Sequence, residues 1–156
     1  MRKGQAKKRP LLPDPKYKDP LVTRFVNSLM KDGKKNLAYS LFYDAIDSIT
    51  AKEEEEGLEV WRKALSNVMP SIEVKRRRVG GSTFQIPVEV RADRKISLGV
   101  KWLINCARAR GEKTMIERLV YETIAASKGE GNAVKKKNDI HKMAESNRAF
   151  SHFRIR

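Results

Sequence analysis

Along most of the chain the apolar residues recur every three or four positions, and in one stretch they recur every second position. Leu21, Val22, Phe25, Val26 and Leu29 mark a first amphipathic helix, with Asp19 as N-cap, Pro20 at its first position and Gly33 at its end. Leu37, Ala38, Leu41, Phe42, Ala45, Ile46 and Ile49 form the stripe of a second. Leu58, Trp61, Ala64, Leu65 and Val68 form a third, stopped by Pro70. The period then drops to two: Ile72 and Val74, and later Phe84, Ile86, Val88 and Val90, alternate with polar residues around Gly80-Gly81, the pattern of a β-hairpin. Both apolar sets are even-numbered, so placing them on one face requires an odd-length loop such as residues 80–82, or a bulge. Pro87 removes a ladder donor and needs a free strand edge, which predicts an isolated two-stranded arm.

Helical spacing returns with Ile96, Val100, Leu103, Ile104 and Ala107, and again with Met115, Ile116, Leu119, Val120 and Ile124, closed by Lys128-Gly129. A last helix is predicted from about Ala133, with Ile140, Met143, Ala144 and Phe150 on its apolar side. The expected fold is mainly α, a single domain of about six helices over residues 19–150, with a protruding hairpin at about residues 71–90 between helices three and four. Residues 1–18 hold seven cations against Asp14 alone, and Pro10, Pro13 and Pro15 exclude a helix, so an extended basic arm is expected there. Residues 151–156 read as a short basic tail.

Charge sharpens this picture. The 156 residues carry 34 Lys and Arg against 19 Asp and Glu, a formal net charge of +15, which attracts polyanions. A content of 40% hydrophobic residues is enough to fill one core, which argues against disorder throughout. Cys106 is the single cysteine, so no intrachain disulfide forms, and a reducing cytosolic setting is expected. No stretch approaches the roughly twenty apolar residues of a membrane span, and no membrane partner is expected.

The cations cluster by element. In the arm they are Arg2, Lys3, Lys7, Lys8 and Arg9; in the first helix Arg24 and Lys31, continued by Lys34 and Lys35. In the hairpin Lys75, Arg76, Arg77 and Arg78 make both faces cationic toward the tip, where a thin arm needs an external anion to offset their repulsion. In the fourth helix Arg94, Lys101 and Arg108 lie seven residues apart, opposite the apolar stripe, with Arg91 and Lys95 beside them. Lys135, Lys136 and Lys137 fall in the first turns of the last helix, where the macrodipole disfavours them, and so point to an anionic partner at that end. These residues are the expected RNA contacts.

Catalytic chemistry finds no support. Gly129-Glu130-Gly131 has neither the spacing nor the preceding strand of a phosphate loop. The four glutamates at residues 53–56 sit in a linker and are expected to face water. His141 and His152 have no Cys, Asp or Ser at a spacing that suggests a metal site or triad, though His152 lies among aromatic and basic residues suited to stacking on RNA. Trp61 and Trp102 are expected in the core. No enzyme activity, cofactor, metal or small-molecule substrate is expected. Two classes remain: an RNA-binding component of a ribonucleoprotein, or an architectural DNA-binding protein with a basic β-arm. Cations spread over arm, hairpin, helices and tail suit an irregular RNA surface better than a duplex.

Particular motifs go further. Phe25-Val26, Gly33-Lys34-Lys35, Leu41-Phe42 and Ala45 within residues 19–45, then Arg77-Arg78-Val79-Gly80-Gly81, and Gln85-Ile86-Pro87-Val88-Glu89-Val90 stand at characteristic spacings. So do Ala133-Val134-Lys135-Lys136-Lys137, Met143-Ala144-Glu145, and Asn147-Arg148-Ala149-Phe150 with His152. Over nearly the whole chain this resembles the small-subunit ribosomal protein "seven" family, in its bacterial form. The Lys3-Gly4-Gln5 start and the Ile155-Arg156 ending depart from the family's usual termini. The resemblance implies a structural role in translation: primary binding to the 3′ major domain of small-subunit rRNA, nucleation of the subunit head, and a place at the subunit interface. It implies that the hairpin and last helix lie near the E-site tRNA and the mRNA exit path, through Arg78, Gly80, Gly81, Lys135, Lys136, Lys137, Arg148 and His152. Small-subunit proteins nine and eleven are the implied protein neighbours.

Overall fold

The computed structural model describes Gly4, residues 9–53 and residues 55–153. Arg2, Lys3, Lys7 and Lys8 lie outside the described residues. In chain order the elements are α1 Pro20–Leu29, α2 Lys35–Lys52, α3 Gly57–Val68, β1 Ile72–Val79, β2 Ser82–Glu89, α4 Ala92–Arg108, α5 Met115–Ser127 and α6 Gly131–Ser146, followed by a 3₁₀ turn, Arg148–Phe153. Six helices with a hairpin between the third and fourth is the order the periodicity predicts. The chain gathers into two compact units, Met1–Ser40 and Leu41–Arg156.

In the first unit the chain is not extended up to residue 18. Asp14 is buried, its Oδ2 accepts the backbone N–H of Lys16 (3.0 Å) and of Tyr17 (2.8 Å), and its carbonyl accepts that of Lys18 (2.9 Å). An aspartate between two prolines thus closes a local turn, because its carboxylate satisfies donors that no helix or strand takes. Asp19 then caps α1, accepting from the N–H of Leu21 at 2.8 Å, with Pro20 at the first position. Val22, Phe25, Val26 and Leu29 are buried as predicted. The helix stops at Leu29, four residues short of Gly33, because Met30 is already extended (ψ 137) and Asp32 and Gly33 take left-handed φ of 54° and 73°. Leu37, expected on the apolar stripe of α2, is 55% exposed.

The second unit packs α3 against α5, and α4 and α6 against both. Its interior holds Phe42, Ile46, Ile49, Trp61, Leu65, Val68, Val100, Leu103, Ile104 and Val120. Phe42 and Trp61 meet edge to face, ring centroids 5.3 Å apart, a geometry worth about 0.5–1.5 kcal/mol beyond area burial. Both tryptophans are buried, as expected. Asn67, at the end of α3, donates to the carbonyls of Ala126 and Ser127 at 3.0 Å each, satisfying acceptors at the C-terminus of α5. Thr114 begins α5 with a capping box closed by Glu117.

The hairpin is a two-stranded antiparallel sheet, which leaves Pro87 the free edge it needs. Its turn differs from the expectation. Val79 pairs with Ser82, so the loop is the two residues Gly80-Gly81, with φ of 58° and 90°. Positive φ at both central residues suits a type I′ turn, whose twist matches the strands, and two glycines take it without strain. The register therefore sets Val74 opposite Pro87 but Ile86 opposite Lys75 and Phe84 opposite Arg77. The two even-numbered apolar sets fall on opposite faces. The physical reason is that the arm has apolar neighbours on both: Phe84 packs its ring on Phe150 (5.1 Å), while Val74 borders a groove with Leu98, Trp102, Ile140 and Met143.

The last helix begins at Gly131, two residues before the expected start, and Phe150 belongs to the 3₁₀ turn after it.

Candidate nucleic-acid interface

The hairpin is anchored to the body by polar contacts at its base, which leaves its outer half to carry charge. Glu73 on β1 is nearly buried and accepts from Arg94 Nε of α4 at 2.7 Å, with Lys75 Nζ 3.4 Å away. The N–H of Val90 donates to Ser71 O (3.0 Å), and the N–H of Ser71 donates to His141 Nε2 of α6 (3.2 Å). An Nε2 that accepts is unprotonated, so this contact requires the neutral ring. Burial, with Lys137 adding to it, holds the His141 pKa below its ordinary value of 6.5, in agreement. Beyond this base Lys75, Arg76 and Arg78 are exposed, Arg77 is half-buried opposite Phe84, and Gly80 and Gly81 are exposed at the tip.

On α4 the predicted ridge is uneven. Arg91 and Lys101 are exposed; Arg94 is exposed but engaged with Glu73; Lys95 and Arg108 are half-buried. The heptad spacing places Arg94, Lys101 and Arg108 on one side of the helix, yet Arg94 serves first to orient the hairpin. In the first unit Arg9, Lys31, Lys34 and Lys35 are exposed, Lys35 lying 5.7 Å from the Tyr39 ring, and Arg24 is half-buried.

The three lysines of α6 divide by role. Lys137 Nζ donates to the carbonyl of Asn67 at 2.8 Å, tying α6 to the end of α3. Lys136 Nζ lies 5.9 Å from the Trp102 ring, a cation–π contact. Lys135 is exposed. At this helix end, where the macrodipole would attract a phosphate, a carboxylate from within the protein already sits. Glu122 of α5 has no exposed surface, its Oε1 accepts the N–H of Ala133 at 2.9 Å, and its Oε2 accepts from Arg110 at 2.9 Å. Glycine at 131 leaves room for it, since a Cβ there would stand 3.2 Å from Oε1.

The knot extends outward from Glu122. Arg110 also pairs with Glu112 (2.8 Å), and Arg118 Nε donates to the Glu112 carbonyl at 2.6 Å. Hydrogen bonding from Arg110 holds the Glu112 carboxyl below its usual range, and the same bond raises the Arg110 guanidinium above its own. Sequence reading missed this set: Glu122 stands three positions after Leu119 and seven after Met115, at the edge of the apolar stripe of α5, but an acid there reads as solvent-facing, and its partners Arg110 and Ala133 lie outside the helix. Among the glutamates expected to face water, Glu53 instead pairs with Lys128 at 2.9 Å. Cys106 is half-buried, and burial followed by the nearby Glu122 pushes its thiol pKa up, away from nucleophilic use. Among the described residues no group of His, Cys, Asp and Glu is arranged to hold a metal ion, and no helix is long and apolar enough to cross a membrane.

Arg148 and His152, in the 3₁₀ turn, are exposed, and His152 Nδ1 lies 2.8 Å from the Ala149 carbonyl. Arg148 borders a groove of about 540 Å³ with Ile72, Pro87, Glu89, His141 and Glu145. Hairpin, α4, α6 and this turn are thus neighbouring elements of one unit, and each presents exposed cations.

Comparison with known proteins gives the surface its context. Residues 1–148 match the family described as ribosomal protein S7p/S5e. The chain is 73% identical to the small ribosomal subunit protein uS7 of Amoebophilus asiaticus over 99% of this chain and 100% of that protein. It is 67% identical to that of Cytophaga hutchinsonii over the same shares, and 57% identical to that of Rhodopseudomonas palustris over 98% of each chain. With a basic hairpin and a family match over nearly its whole length, the chain belongs to the ribosomal protein S7p/S5e family, as a non-enzymatic, RNA-binding constituent of the small ribosomal subunit that serves in translation.

Proposed function

We propose that this chain binds the 3′ major domain of small-subunit rRNA as a primary binder and nucleates assembly of the subunit head. Its hairpin and α6 then lie at the subunit interface near the E-site tRNA and the mRNA exit path, with small-subunit proteins nine and eleven as neighbours. The observation that carries this reading is the hairpin itself: a two-stranded arm pinned at Glu73 and Ser71, beyond which Lys75, Arg76 and Arg78 stand exposed. An arm held at its base and charged along its length suits insertion between RNA segments, where phosphates offset its repulsion. The exposed Lys101 of α4 and Lys135 of α6 extend the cationic surface onto the helices that hold the arm.

The test is direct. Replacing Arg76, Arg77 and Arg78 together by Ala weakens binding to a head-domain rRNA fragment by well over tenfold and lowers the salt slope by up to about three. Unchanged affinity, or equal binding of random duplex DNA at physiological salt, refutes the reading.

A further inference from the structure

A groove of about 310 Å³ opens between the hairpin, α4 and α6, and its chemistry is unlike that of the surrounding cationic surface. Most of its lining is apolar: Val74 of β1, Leu98 and Trp102 of α4, and Ile140 and Met143 of α6. Met143, expected on the apolar side of the last helix, is 45% exposed. Arg76 and Gln85, directly opposite one another in the hairpin register, also line the groove. Glu73 also lines the groove, but its charge is offset by Arg94 and Lys75. Lys136 reaches over the Trp102 ring from the α6 side.

We propose that this groove is a pocket for a single unstacked RNA base, with Arg76 and Lys136 taking the flanking phosphates. The size supports one base, since 310 Å³ lies at the lower end of the range of about 300–1,000 Å³ typical of ligand sites. The composition matches the way proteins read single-stranded RNA, by holding a splayed-out base against apolar or aromatic side chains while polar groups read its edge. Gln85 offers both a donor and an acceptor, and Glu73 an acceptor, so the pair favours a base with an exocyclic amine over uracil. A protein segment is the weaker occupant: Arg76 lines this groove, Lys136 lies 5.9 Å from its Trp102 ring, and its one acid, Glu73, is paired with Arg94 and Lys75, whereas the neighbouring groove near Arg148 carries the acids Glu89 and Glu145.

The inference rests on the rRNA-binding reading, and the experiment separates the two. The probe is a head-domain rRNA fragment titrated into the full chain. A base entering the groove quenches the fluorescence of Trp102, whereas Trp61, 1% exposed, supplies a constant background. Val74→Phe fills the groove without removing a cation. It is expected to lower affinity about tenfold, the scale of one lost stacking contact, to abolish the quench, and to leave the salt slope unchanged. Should that variant unfold, Gln85→Ala carries the same test through loss of affinity, with preserved quenching and a weakened preference among fragments differing at their unpaired bases. Full affinity in the folded groove-filling variant, or binding without any tryptophan quench in the wild type, overturns the pocket while leaving rRNA binding intact. Failure of the wild type to bind the fragment at all refutes the functional reading instead.

Discussion

Replacing Glu122 by Ala should be among the most damaging single changes outside the apolar core, and its size follows from the contacts. The carboxylate has no exposed surface and holds two donors, the guanidinium of Arg110 and the N–H of Ala133, each at 2.9 Å. Removing one member of a buried ion pair costs about 3–5 kcal/mol where the other charge is left without compensation. Arg110 is 25% exposed in its side chain and keeps Glu112, which places the electrostatic loss below that range. The stranded N–H in the first turn of α6 adds about 1–3 kcal/mol, giving a net loss of about 4 kcal/mol. For a chain of this length, at about 2–4 °C per kcal/mol, the Tm falls by roughly 8–16 °C. Glu122→Gln keeps one acceptor for Ala133 but turns its NH2 toward the guanidinium, so about half the loss is expected. Urea and thermal unfolding followed by circular dichroism measure both. Glu130→Ala is the control, because Glu130 is exposed and makes no side-chain cap bond, and it should change stability by less than about 0.5 kcal/mol. A loss below about 1 kcal/mol for Glu122→Ala would show that the buried knot does not hold α6 in place.

Two further outcomes follow from packing and titration. Gly57→Ala forces a methyl group against the Ile46 carbonyl and to within 2.6 Å of Thr50 Oγ1, whose hydroxyl accepts the Gly57 N–H; denaturant unfolding should show a loss of about 1–3 kcal/mol, and a neutral effect would refute the close approach. His141 has a lowered folded-state pKa, so its contribution is fully present above the unfolded value of 6.5 and is lost as pH falls through the folded value. The stability advantage of the wild type over His141→Gln should therefore shrink between pH 7.5 and pH 5, and an advantage that grows on acidification would sink this account.

The local pattern was sufficient where local physics decides. Helical apolar spacing, the Asp19-Pro20 start and the change to period two placed all six helices and the hairpin, because amphipathic stripes and caps are properties of neighbouring residues. Most of the hairpin cations were legible for the same reason: of a run of four on a short strand, Lys75, Arg76 and Arg78 are exposed, while Arg77, opposite Phe84, is half-buried. The turn at Asp14 was not, since a proline-rich basic segment and a carboxylate folded back onto its own backbone share one composition.

Tertiary structure alone decided which charges are free for a partner and which hold the protein together. Lys137 and Arg94 read as surface cations like their neighbours, yet one binds the Asn67 carbonyl and the other anchors Glu73. Glu122 reads as a surface acid yet neutralises the start of α6 from inside. The hairpin register shows the same limit. A single apolar face was the economical reading of alternating residues, but the arm meets apolar neighbours on both faces, so the two-glycine turn and the split register satisfy more contacts. Sequence determined the elements and the sign of the surface. The pairing of individual charges depended on residues tens of positions apart being brought together, information that no local pattern contains.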